Sequence, residues 1–348
     1  MAAAAWALGG GGTAVALRGE VQAVGQQGWE GGASVGSARV RVQRVRGSWL
    51  MTWRGLSWVA VRSMLASRAT MRWLAAEGTS FSLLLHVGDL AYARGFLAVW
   101  NTFVRQVQVL SSRLPYMTLP GNHERDWPRS GDRFDAVEDS DGECGKVYEA
   151  LFNMPTPGPD QPWYGFDHGP IHFVTYSTEH ASGPHSPQYA WIRDHLAAVN
   201  RSRTPWLVLA GHRPLYLSST NNAPPDGDQT VASALRQDLE PLLLEAKVDL
   251  TLAGHHHTYQ RTCPMANSQC VGYDSTGAAR GPVHVVIGNG GAGLSLNNQQ
   301  PAPAFIERLL LWWGYARLEA NRSSLTLQAI SNYDGGVMDS LTLVKLDA

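Results

Sequence analysis

The chain has 348 residues, a length that suits about two domains or one large enzyme domain. With 44% hydrophobic and 16% charged residues, 36 Gly and 13 Trp, it is globular in composition, not disordered, collagen-like or coiled-coil. The formal net charge of −1 removes any global case for nucleic-acid binding, but residues 1–88 hold nine Arg, three Glu and no Asp, which leaves −7 on the other 260 residues.

Residues 1–17 are apolar, yet they lack a basic start and contain four consecutive glycines, so they make a poor secretory leader. No run of 18 apolar residues occurs, and no membrane-spanning helix is expected. From Gly9 to Gly47 the text is rich in Gly, Ala and Gln, with VRVQRVRG as its one strand-like alternation. Ser57–Glu77 spaces Trp58, Val61, Leu65, Met71 and Leu74 by helical intervals, and Gly78 suits the stop. Four apolar runs then each close on Gly plus a polar or histidine residue: FSLLLHVGD (81–89), LPYMTLPGNH (114–123), TPWLVLAGH (204–212) and VDLTLAGHHH (248–257). Each reads as a buried strand with a metal-type side chain at its C-terminal turn. Between them lie helical candidates at 97–110, 188–199 and 232–246, the alternation of an α/β fold. After Thr262 the runs PVHVVIGNGG, WWGYARLEA, SSLTLQAIS and MDSLTLVKL read as further strands. The expected architecture is α/β with α+β character: a two-sheet β-sandwich flanked by helices over residues 79–348, preceded by an unassigned Gly/Arg-rich leader with one possible helix over 1–78.

One Gly-Asp, Gly-Asn or Gly-His pair is ordinary turn chemistry. Four of them, each after a strand-like run and presenting Asp, Asn or His, point to a metal site gathered at strand ends. Two cations roughly 3.5–4 Å apart clamp a phosphoryl group and activate water, the logic of two-metal phosphatases.

GDLAY (88–92), GNHE (121–124), AGHRP (210–214) and GHHH (254–257) resemble, in order, the motif set of the purple acid phosphatases, a branch of the calcineurin-like metallophosphoesterases. The text around them, including GECGKVYEALFNMP and HTYQRTC, looks like the plant and algal high-molecular-weight members, from about Phe81 to the C-terminus. The resemblance implies a metallophosphoesterase fold and an acid phosphatase that hydrolyses phosphate monoesters with a metal-bound hydroxide. It implies Fe(III) held by Asp89, Tyr92 and His257, and a divalent Zn, Mn or Fe held by Asp89, Asn122, His212 and His255, with Asp89 as the bridge. His123 would contact phosphate and protonate the leaving group, and His256 would stand behind the ligands. His86, His172 and His284, in apolar strand text, read as core histidines.

The sequence also departs from the family. Relatives carry an Asp-x-Gly motif on the strand before GDLAY, whose Asp is an iron ligand, and no Asp precedes Asp89 here. A weakened iron site follows, with Glu77 and Glu124 as the nearest spare carboxylates. The fibronectin-like N-terminal sandwich of the larger relatives has no counterpart in residues 1–78. Segment 217–228 lacks the histidines that some relatives place there, which leaves leaving-group protonation to His123 or a water. Cys263 and Cys270 match a cysteine pair of the plant relatives, implying a disulfide and an oxidising compartment and leaving Cys144 unpaired. Asn200 and Asn321 open glycosylation sequons. The family implies secretion or vacuolar residence and homodimerisation, with a phosphate ester as substrate and neither nucleic acid nor membrane as partner. Phosphodiesterase or nucleotide pyrophosphatase activity and a metal-poor inactive chain are the competing functions.

Overall fold

The computed structural model describes residues 34–35, 38–45, 48–54, 58–78, 80–134 and 137–345. The apolar segment 1–17 lies outside them. The chain divides into two units, Met1–Leu56 and Ser57–Ala348, so the helix predicted at 57–77 belongs to the second unit, not to a leader ending at 78. In the first unit β1 (Ser34–Val35), β2 (Ala38–Val45) and β3 (Ser48–Arg54) form an antiparallel meander, with Val40 opposite Trp53 and Val42 opposite Met51. The VRVQRVRG alternation supplies β2.

The second unit opens with α1 (Trp58–Glu77), which ends at Gly78 as expected. Then come β4 (Leu84–Val87), α2 (Leu97–Ser111), β5 (Tyr116–Leu119), a single turn α3 (Asn122–Arg125), α4 (Lys146–Leu151), β6 (Tyr164–His168) and β7 (Ile171–Thr175). They are followed by α5 (Pro187–Ala197), β8 (Trp206–Ala210), α6 (Asp228–Glu245), β9 (Leu250–Ala253) and β10 (Tyr259–Thr262). The short hairpin β11 (Met265–Ala266) and β12 (Gln269–Cys270) precedes β13 (Val283–Ile287), β14 (Ile306–Leu310), β15 (Gly314–Ala320), β16 (Ser324–Ser331) and β17 (Val337–Val344). Helix α5 starts where Ser186 Oγ accepts the Tyr189 amide at 3.1 Å and Pro187 takes the first turn, whose N–H groups need no intrahelical partner. Helix α6 begins a turn earlier than its apolar pattern, at Asp228, and that turn matters below.

Seven strands form one mixed sheet in the order β14-β10-β13-β9-β8-β7-β6, parallel from β13 through β7 and antiparallel at its edges. β4 and β5 pair in parallel, and β15-β16-β17 form a three-stranded antiparallel sheet. The central strands are covered on both faces, which is why WLVLA is buried throughout and does not alternate with polar residues. Successive side chains still take opposite faces. Leu207 and Leu209 join Ile192, Leu196, Leu235, Leu239 and Leu243 of α5 and α6 in one core. Trp206, Val208 and Ala210 join Leu325, Leu327, Leu341 and Leu343 of β16 and β17 in the other. The expected sandwich flanked by helices is therefore present, each fully buried Leu or Val adding roughly 1.5–3 kcal/mol.

Helix α1 is tied to the C-terminal part of its unit. Thr70 Oγ1 donates to Gly290 O at 2.7 Å, Asn332 Nδ2 donates to Ala66 O at 3.1 Å, and Glu77 takes both Arg317 and Tyr315.

Because β4 pairs in parallel with β5 (Val87 opposite Leu119) and β8 with β9 (Ala210 opposite Leu252), each pair delivers two C-terminal turns on one side. Those turns carry Asp89, Asn122, His212 and His255.

Candidate metal centre

The turns converge because glycine sits where backbones and ligands meet. Gly88 has φ +82, and a Cβ there would fall 2.3 Å from His212 Nδ1; a Cβ on Gly121 would fall 2.3 Å from Asp89 Oδ1. Asp89 (φ 51), Tyr92 (φ 51) and His255 (φ 60) hold left-handed backbone, a strain of order 1–3 kcal/mol each that surrounding contacts must offset.

Asp89 presents its two carboxylate oxygens to two different groups. Oδ1 lies 3.2 Å from His212 Nε2, and Oδ2 accepts from Tyr92 Oη at 3.0 Å. On the first side Asn122 Oδ1 lies 2.9 Å from His212 Nε2 and 3.0 Å from His255 Nδ1, and the two imidazole nitrogens are 3.3 Å apart. On the second side Tyr92 Oη lies 2.8 Å from His257 Nε2. Ligand atoms bound at about 2.0–2.2 Å around one cation stand roughly 3.0–3.5 Å apart, so both groups have the spacing and donor chemistry of a cation site. One ligand atom from each of Asp89, His212 and His255 lies within 4.8 Å of the others.

Each histidine's other nitrogen is taken. His212 Nδ1 lies 2.9 Å from Val87 O, His257 Nδ1 2.6 Å from Gly293 O, and His255 Nε2 3.3 Å from Asp228 Oδ1. Acceptors at those positions keep a proton there and turn the other nitrogen inward. Asp228 is the residue that begins α6 a turn early. His256, between the two candidate ligands, is buried with Nδ1 2.9 Å from Thr258 Oγ1 and Nε2 3.9 Å from Asp228 Oδ2.

Burial raises Tyr92, and the Asp89 charge raises it further, well above the ordinary phenol range. Burial and the Arg213 charge lower His255 to about 4, and burial lowers His257. Burial alone would lower His212 and raise Asp89. Their mutual charge and hydrogen bond outweigh it, lifting His212 to about 9 and holding Asp89 well below the usual carboxylate range. The turn bearing His212 is fixed by Arg213, buried between Glu179 at 2.9 Å and Asp126 at 3.0 Å.

The donors therefore gather on two sides of Asp89, and comparison with known families identifies the chain. The model of the calcineurin-like phosphoesterase family matches residues 65–259, and that of the iron/zinc purple acid phosphatase-like protein C matches residues 281–340. The chain belongs to the purple acid phosphatases. It is 36% identical over 275 residues to a "Nucleotide pyrophosphatase/phosphodiesterase" of Hordeum vulgare, covering 76% of this chain and 72% of that one. It is 35% identical to "Probable inactive purple acid phosphatase 1" of Arabidopsis thaliana, over 80% of this chain and 46% of the relative. A solved purple acid phosphatase isolated from yellow lupin (Lupinus luteus) seeds superposes with a TM-score of 0.74 at 33% identity, over 80% of this chain and 49% of that one. The chain thus spans about half the length of these last two.

For a purple acid phosphatase the two sides are unequally furnished. One offers Asp89, Asn122, His212 and His255; the other offers Asp89, Tyr92 and His257. Neither spare carboxylate of the sequence fills the second side. Glu77 is spent on Arg317 and Tyr315, and Glu124 accepts from Leu90 N at 2.8 Å and Gly121 N at 3.0 Å, clamping the Asp89 and Asn122 turns together. His123 packs its ring 4.4 Å from that of Tyr92, beside the second side. The supports Asp139, Asp228 and Glu179 lie outside the motifs and only folding brings them close, whereas Asp126 stands two residues after GNHE, at the end of α3. Of the three strand histidines, only His284 lies in the core, where it meets Thr251 Oγ1, and His86 is half-buried and bonds Tyr116 Oη. His172 is half-buried and pairs with Asp167 and His195 instead of lying in the core.

Cys263 and Cys270 are joined across the β11–β12 hairpin, and Cys144 is free. Asn200 and Asn321 are exposed, each capping its own turn through Oδ1. Among the described residues no helix is long and apolar enough to cross a membrane.

Proposed function

We propose that this chain is a phosphomonoesterase acting at acidic pH on a dinuclear centre. The observation that carries the reading is Asp89, whose two oxygens face two donor groups at cation spacing. Asn122, His212 and His255 would hold a divalent Zn, Mn or Fe, and Tyr92 and His257 would hold Fe(III), for which a phenolate is a fitting donor. Bound cations would supply Lewis acidity and water activation. The chain's own residues do the rest. Asp126 and Glu179 hold the His212 turn through Arg213. Glu124 keeps the Asp89 and Asn122 turns in register. His123, its Nδ1 donating to the Asp139 carbonyl at 3.2 Å, turns Nε2 outward, and as imidazolium it would give the Nε2 proton to a phosphate oxygen or leaving group. The joined cysteines and the exposed sequons support an oxidising, secretory or vacuolar setting for a glycosylated chain.

A second reading is favoured by the three-donor side: a chain that binds the divalent cation but turns over slowly or not at all. The test is to express residues 1–348, measure iron and divalent metal content, and assay p-nitrophenyl phosphate beside bis-p-nitrophenyl phosphate at acidic pH. Two cations per chain with faster monoester turnover support the first reading. Faster diester turnover moves the assignment to a phosphodiesterase, the activity named for the barley relative. Fewer than one cation and no turnover sink the enzyme.

A further inference from the structure

Asp139 lies in the connection between α3 and α4, outside every motif. It touches the site twice. Its side-chain Oδ2 accepts from Asn122 Nδ2 at 2.8 Å, and its backbone carbonyl accepts from His123 Nδ1 at 3.2 Å.

The first contact has a chemical consequence. A carboxamide has an oxygen end and an NH2 end, and only the oxygen can serve a cation. Its terminal torsion is broad and nearly two-fold, so packing alone discriminates weakly between the two ends. A carboxylate accepts and does not donate, so Asp139 binds the NH2 end alone. The oxygen is thereby turned to the place where it stands 2.9 Å from His212 Nε2 and 3.0 Å from His255 Nδ1.

Asp139 is itself held. The next residue, Ser140, is fully buried and its amide donates to Asp126 O at 3.0 Å. Three residues further on, Glu143 accepts from Trp100 Nε1 at 3.0 Å and from the Gly95 amide at 2.8 Å. The loop is anchored to the same α3 turn and Tyr92 loop that it serves.

We infer that Asp139 is a positioning residue: it locks the Asn122 carboxamide with its oxygen toward the divalent cation and, through its carbonyl, fixes which nitrogen of His123 faces substrate. The inference rests on the ligand assignment proposed above for Asn122.

The test is Mn(II) titration of the full chain, followed by the electron paramagnetic resonance signal of free Mn(II), with thermal unfolding in chelator as a folding control. Asp139→Ala weakens Mn(II) about 10–100-fold, the usual effect of losing a group that orients a ligand, while the melting temperature stays within a few degrees of the parent. Asp139→Asn still offers an oxygen to the Asn122 NH2 and stays within a few fold of the parent. In an Asn122→Asp background both side-chain oxygens are equivalent, orientation is not needed, and Asp139→Ala weakens Mn(II) no further. The inference is overturned if Asn122→Ala loses Mn(II) while Asp139→Ala does not, or if Asp139→Asn is as weak as Asp139→Ala, which would assign the effect to charge. If Asn122→Ala leaves Mn(II) binding intact, the ligand assignment falls and this inference falls with it.

Discussion

Replacing Gly88 by Ala tests whether the ligand turns meet as closely as described. Two costs arise. Left-handed backbone at φ +82 penalises an L side chain by about 1–2 kcal/mol. The new Cβ also lands 2.3 Å from His212 Nδ1 and 2.7 Å from its Cγ, roughly 1 Å inside ordinary van der Waals contact. His212 cannot retreat freely, since its ring is fully buried and its Nδ1 is bonded to Val87 O. Overpacking of that kind adds about 1–3 kcal/mol. Gly169→Ala is the control, because Gly169 has φ +56 and nothing within 4 Å of the added Cβ. Urea unfolding in chelator should show Gly88→Ala about 1–3 kcal/mol less stable than Gly169→Ala. Ligand positions tolerate shifts of only about 0.2 Å, so Mn(II) affinity should fall by at least about tenfold in Gly88→Ala alone. Two variants of equal stability and equal Mn(II) affinity would refute the close approach and, with it, the placement of His212.

His123→Ala should lower p-nitrophenyl phosphate turnover by about two to four orders of magnitude with metal content unchanged; a loss of activity that merely tracks lost metal would remove its proposed role. Serine at both Cys263 and Cys270 should cost about 2–3 kcal/mol, the value for opening a loop of this length, and unfolding of the parent with and without reductant should show the same gap. Asp339 is nearly buried against Arg261, at 2.7 Å, and Tyr259, at 2.8 Å. Burial would raise its carboxyl, but the hydrogen bonds from Arg261 and Tyr259 and the Arg261 charge outweigh it and hold it below the ordinary range. Its contribution is therefore present above its unfolded value of about 3.9 and is lost as pH falls through the lower folded value. Asp339→Asn should be destabilised by about 3 kcal/mol at pH 7, with the gap closing below about pH 4; a gap that is constant from pH 7 to pH 3 contradicts this pairing.

The candidate donors were legible because they follow apolar strands, buried in β8 and β9 and half-buried in β4, and a run such as VDLTLAGHHH states strand, turn and donor within ten residues. Helices α1, α2 and α5 were legible from apolar spacing to within a residue or two at most ends. The start of α6 was not, because Asp228 is chosen for His255 and Ser219 and not for an apolar face. Glu77 and Glu124 were visible as carboxylates, but their fate depends on Arg317, Tyr315, Leu90 and Gly121, partners up to 240 residues away. Asp139 was invisible for the same reason. A group that supports a ligand needs only to be near it in space, and proximity of that kind leaves no spacing in the chain.

The Glu124 clamp separates the fate of the architecture from that of the chemistry. One buried carboxylate fastens two ligand-bearing turns through their amides, and it does so without help from any cation. A lineage that gave up one ligand would keep the scaffold upright, since folding, not turnover, would continue to select for Glu124. A superposition scores the scaffold that Glu124 holds together, and the donors on each side of Asp89 are a separate property of the chain.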